Sequence, residues 1–229
     1  RTLDDILAVQ TDIASSVTEA LKVQLLGAAT APLPPKSTVA YELYLRGQFF
    51  FGRRADGDMD RAAKYYREAL EIDPDFARAW AGLAGATWIK LSSGELPREL
   101  GLSQLRDAAT KAVALDPNLA EGHLRLANYH LSSHDPTTAQ AHYQKAMALA
   151  PNNPLMLSTS AMVAADHGRL DEALEKYARV VALDLLSATQ RHNFGHLLYS
   201  AGHLAEAQAQ LLKAAEINPD EERGMPGFI

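Results

Sequence analysis

Apolar residues along this chain recur at steps of three and four, the spacing that gathers them on one face of a helix. The clearest stretch is 118–151, NLAEGHLRLANYHLSSHDPTTAQAHYQKAMALAP, which reads as two amphipathic runs joined by a polar turn. With Ala120 numbered as position 1, small residues stand at 8 (Ala127), 20 (Ala139) and 27 (Ala146). Large ones stand at 7 (Leu126) and 24 (Tyr143), and Pro151 closes the unit. Imperfect copies flank it, closed by Pro74, Pro117, Pro151, Leu185 and Pro219 at spacings of 43, 34, 34 and 34 residues. A proline directly after a helical run stops the helix and sets up the next unit.

Position 8 is filled by Gly47, Ala84, Ala127, Ala161 and Gly195, and position 20 by Ala62, Leu105, Ala139, Ala173 and Ala207. Two antiparallel helices approach closely only where side chains are short, so these positions mark where helix A of each unit crosses helix B. Position 24 (Tyr66, Ala109, Tyr143, Tyr177, Leu211) is expected to plug the groove between units, and Gly168 and Gly202 at position 15 to form turns. The pattern predicts an all-α array over 37–219, with units at about 40–74, 77–117, 120–151, 154–185 and 188–219.

The flanks read differently. The apolar stripe Ile6, Val9, Ile13, Val17, Ala20 and Leu21 predicts an additional N-terminal amphipathic helix within 1–27, capped by Thr2. A proline-rich linker, 28–36, follows it, and 220–229 is a tail too short to cap the array. The second unit carries nine extra residues, read as a surface loop at 92–96 and a lengthened helix B with Pro97 in its first turn. Because the chain begins at Arg1, it reads as a piece of a longer protein.

The 34-residue pattern resembles the tetratricopeptide repeat. That resemblance implies a right-handed α-solenoid of five helix–turn–helix repeats, with no chemistry of its own, that binds peptides or helices on the concave surface lined by the A helices. The first helix, ILAVQTDIASSVTEAL, and the first unit, AYELYLRGQFFFGRR followed by Asp73–Ala77, are similar to the repeat region that follows a TolB-like domain in bacterial regulators. Those proteins often begin with a nucleotide cyclase or winged-helix domain. This second resemblance implies a regulatory module of a larger bacterial signalling protein, or an accessory region acting mainly in homodimerisation.

Positions 2, 5, 9 and 12 of each helix A share one face. On it the candidate groove residues are Tyr41, Tyr44, Gln48, Phe51, Arg78, Trp88, Leu124, Asn128, Leu131, Met162, His192, His196 and Tyr199. The expected partner is a protein or peptide with a helical apolar face. The lysine and asparagine with which some members of the family hold a C-terminal carboxylate are absent: Leu124 stands at 5 of unit three and Thr159 at 6 of unit four.

Composition narrows the classes. The 229 residues carry 28 acids against 22 bases, a net charge of −6 that argues against a nucleic-acid binder. Arg46, Arg53, Arg54, Arg61, Lys64 and Arg67 make the first unit the most basic, but Asp56, Asp58, Asp60 and Glu68 interleave with them, as on a solvated surface. With no cysteine there is no disulfide, thiol nucleophile or cysteine-ligated zinc. No run is long and apolar enough to span a membrane, so the expected compartment is the cytoplasm, with the periplasm open. His192 and His196, like His130 and His134, are four apart on one helix. That spacing can hold a metal, and a metal-dependent enzyme is the remote alternative. Neither pair has a third ligand nearby in sequence, so no metal, cofactor or catalytic residue is assigned. The apolar face of the fifth unit's helix B, or the first helix, is the expected surface of a homodimer.

Overall fold

The computed structural model describes residues 36–218. The N-terminal helix, its linker and the C-terminal tail inferred above lie outside them. Within 36–218 every regular element is helical, and the ten helices fall into five antiparallel pairs. These are α1 (Thr38–Arg53) with α2 (Asp58–Ile72), α3 (Ala77–Ser92) with α4 (Arg98–Leu115), α5 (Ala120–Ser132) with α6 (Pro136–Leu149), α7 (Pro154–Asp166) with α8 (Leu170–Leu183), and α9 (Ala188–Ser200) with α10 (Leu204–Ile217).

Local chemistry sets the helix starts. Ser37, Asp135, Asn153 and Ser187 each accept a backbone N–H of the following first turn, satisfying donors that have no partner inside the helix. Pro136 and Pro154 occupy the first turns of α6 and α7, where a missing N–H costs nothing. The turns inside the pairs need a left-handed residue at position 15. Gly168 (φ 73°) and Gly202 (φ 85°) supply it, but units one and three force the same conformation on Arg54 (φ 56°) and His134 (φ 64°).

Each pair closes where the small residues predict. All ten residues at positions 8 and 20 are buried. The first junction is the tightest: Tyr66 of α2 is fully buried between α1 and α3. A Cβ added to either Gly47 or Gly82 would come within 2.6 Å of its ring.

The turn before α2 is organised by a charge rather than by a simple cap. Asp58 is fully buried and accepts from Arg53 Nε (2.8 Å) and Nη2 (2.7 Å), Arg61 Nη1 (3.0 Å) and the backbone N of Ala55 (2.9 Å). The Arg53 guanidinium, with Ala55 and Arg61, holds its carboxyl below the usual carboxylate range. Two of the first unit's six basic side chains, Arg53 and Arg61, are thus tied to one buried carboxylate.

The insertion in unit two lengthens α4 to 18 residues, with Pro97 just before the helix rather than inside its first turn. Gly101 brings the added turn against Leu91, and the Arg98 guanidinium donates to the carbonyl of Ser132 in unit three. The extra residues therefore tie two units together.

The array does not stay open. Thr189 Oγ1 at the start of α9 donates to the carbonyl of Gly52 at 3.4 Å, and Asn218 Nδ2, just after α10, donates to the carbonyl of Arg53 at 3.0 Å. The fifth unit meets the end of α1, and the concave face becomes the wall of a central cavity.

Candidate functional site

The cavity, about 330 Å³, is bounded by residues of all five units. Unit one supplies Tyr44, Gln48, Phe51 and Tyr66, unit two Arg78 and Gly82, and unit three Glu121 and Arg125. The N-terminal ends of α7 (Asn153, Pro154, Leu155) and α9 (Ser187, Thr189, Gln190) complete it.

An aromatic shelf stands on one side. The Tyr41 and Tyr44 rings stack at 6.1 Å, Phe76 lies 5.0 Å from Tyr44, and the Arg78 guanidinium sits 5.5–5.7 Å from all three. Such placements are favourable cation–π contacts. Gln48 Nε2 donates to the Tyr44 hydroxyl at 2.7 Å, and burial pushes that hydroxyl up to about 12. Arg125 is only 5% exposed, packed over Gly85 with its guanidinium 5.7 Å from the Phe51 ring. Burial draws it down to about 10, an effect that Glu121 opposes. Glu121 itself accepts from Asn153 Nδ2 at 3.3 Å.

The candidate groove residues divide. Tyr44, Gln48, Phe51 and Arg78 line the cavity, with Tyr41 packed beside them. Leu124 does not belong to the surface at all. At 2% exposure it is a core residue packed with Ala120, Ala146 and Met156, because α6 and the start of α7 cover that side of α5. Trp88 is half-buried against Ala84 and Leu105, and Asn128 is also half-buried. Leu131 (63%), Met162 (52%) and Tyr199 (47%) are exposed. His192 and His196 are half-buried, their rings 4.6 Å apart.

Among the described residues no group of three or more His, Asp or Glu side chains is placed to hold a metal. His130 and His134 do not act as a pair. His130 stacks on His142 at 5.6 Å, while His134 turns toward Arg98. His142 also meets His123, Nδ1 to Nδ1 at 3.2 Å.

Sequence reasoning missed Arg125, Tyr66 and Gln190 as cavity residues. Arg125 stands at position 6, outside the 2-5-9-12 face, and tight winding of the array turns that position inward. The one signal was a charged residue inside the otherwise buried run HLRLA.

Known proteins place the architecture. Models of the tetratricopeptide repeat match residues 124–185, 54–76 and 191–221. The human protein O-mannosyl-transferase TMTC3 is 27% identical over 173 residues, covering 73% of this chain and 18% of that protein. The cellulose synthase operon protein C of Pseudomonas fluorescens (strain SBW25) is 30% identical over 145 residues, covering 58% of this chain and 11% of that one. The chain thus spans less than a fifth of either relative. Among solved structures, a thermophilic TPR protein of Thermus thermophilus superposes with a TM-score of 0.57 at 20% identity, covering 80% of this chain and 94% of that one. With five helix pairs in register, a small residue at position 8 of every unit and these matches, the chain belongs to the tetratricopeptide repeat family.

Proposed function

We propose that this chain is a non-catalytic interaction module that binds a helical or peptide segment of a partner on the open part of its groove face. The family is in general one of non-catalytic scaffolds for protein–protein contact. The observation that carries the reading is the exposure of Leu131 and Met162 on groove-face positions of successive units. Large apolar side chains exposed on neighbouring units suit the apolar face of an amphipathic helix. A regulatory role within a larger bacterial signalling protein is the setting suggested by the first helix and first unit.

Selection of helical peptides from a display library against the full chain tests it. Selected peptides should lose at least about tenfold in affinity to a Leu131→Glu/Met162→Glu variant, since a buried unpaired charge replaces an apolar contact. Equal binding to both proteins would defeat the proposal.

A second reading rests on α10, whose Leu204, Leu212 and Ile217 are exposed. Leu204 and Leu212 lie toward one side of the helix, which a second copy could cover as a homodimer. A monomeric mass at micromolar concentration would rule this out.

A further inference from the structure

Five buried side-chain polar atoms lack a hydrogen-bond partner among the described residues, and four of them belong to residues lining the central cavity. They are Tyr66 OH, Arg78 Nε, Arg125 Nε and Gln190 Oε1. Unsatisfied buried polar atoms are rare and costly, so this concentration in one place marks the cavity as a candidate binding site. Three of the four are donors. Neither Arg78 nor Arg125 makes an ion pair within the described chain, and Arg125 is more than nine-tenths buried. A buried guanidinium that makes no direct ion pair is costly to hold.

The cavity is electrostatically prepared for an anion in a second way. The N-termini of α7 and α9, each a 13-residue helix, open on it, and their dipoles add positive potential to that of Arg78 and Arg125. Glu121 and Asp184 also line the cavity. Glu121 accepts from Asn153 and offsets part of the Arg125 charge without forming an ion pair with it.

We propose that the cavity is a binding site for a small molecule carrying an oxyanion, a carboxylate or a phosphate, held by Arg78 and Arg125 with the Tyr66 hydroxyl as a further donor. At about 330 Å³ it has room for a small metabolite. Arg125 stands at position 6, a position that members of the family also use to hold a carboxylate, whereas Tyr66 stands on a helix B, outside that set. The site is separate from the exposed apolar positions, because Leu131, Met162 and Tyr199 do not line it. Since the lining comes from all five units, an occupied cavity couples the closure of unit five on unit one to the ligand.

Calorimetric titration and thermal melts of the full chain with sodium malonate and sodium phosphate, against sodium chloride at matched ionic strength, test this. Malonate or phosphate is expected to bind saturably and raise the melting temperature beyond chloride. Tyr66→Phe keeps the ring between Gly47 and Gly82 and removes only the donor. Arg78→Gln changes a half-buried residue and leaves the core intact. Each should weaken that binding by about tenfold or more, the usual worth of a hydrogen bond to a charged group, with the helical circular dichroism unchanged. The idea is overturned if neither anion exceeds chloride, or if both folded variants bind as the parent does. A short peptide with a free C-terminal carboxylate that binds over ten times tighter than malonate, and fails as its amide, would overturn the small-molecule source in favour of a peptide end.

Discussion

Tyr66 and Tyr143 occupy the same register position in units one and three, yet they end at different depths. Tyr66 is fully buried between its own pair and the next unit, while Tyr143 stays half-buried. The next unit decides. Unit two presents Gly82 at position 6 and lets the ring pass to its backbone, whereas unit four presents Thr159 there. Tyr177 is deep by a third route, stacking on Phe194 of unit five at 6.1 Å. A repeat register therefore says which side chain enters the groove between units. The depth it reaches depends on its neighbour's volume.

The comparison can be broken at several points. Tyr66→Ala should cost about 3–5 kcal/mol, the usual loss for a fully buried aromatic ring. Tyr143→Ala should cost about 2 kcal/mol, in proportion to its smaller burial. Urea denaturation of both variants checks this, and equal losses would refute the explanation by depth.

Gly82→Ala comes next. Its Cβ would stand 2.6 Å from the Tyr66 ring, and forcing a packed core apart costs about 1–3 kcal/mol. Thr159→Ala at the equivalent position should stay within about 0.5 kcal/mol, as for a substitution away from a tight contact.

Acid should separate the units further. Burial holds the His142 imidazole below its ordinary value, with His123 and His130 adding repulsion. The unfolded chain takes up that proton more readily, so the stability is fully present above about pH 6.5 and is lost as pH falls through the folded value. Asp135, paired with His130, is the carboxylate on that side of the cluster. Hydrogen exchange is expected to show α5 and α6 losing protection before α1 and α2 between pH 7.5 and 5.5, and His142→Gln to reduce the difference. One substitution is expected to bring a gain. His134→Gly relieves a left-handed non-glycine residue and should stabilise by about 1 kcal/mol, read from the melting temperature.

Much of the fold was legible because it is local. A helix–turn–helix unit needs an apolar period, short residues at the crossing and a stop, and all three are written within 34 residues. The left-handed turn at position 15 was legible only where glycine marked it, because Arg54 and His134 adopt it under tertiary constraint. The site was less legible. Positions 2, 5, 9 and 12 led to Tyr44, Gln48, Phe51 and Arg78, but also to Leu124, which the next pair covers. Arg125 and Gln190 carry no local signal, because their roles depend on units distant in sequence.

The sequence by itself determined the all-helical class, the 34-residue register and the side chains that fill the spaces between helices. Each of these depends on contacts inside one unit or with the next. Only the tertiary structure decided that the ends meet and that the concave face encloses a cavity lined by two guanidiniums that make no ion pair among the described residues. Small rotations at each of four junctions add up over the array, and their sum is set by packing volumes that no single repeat contains.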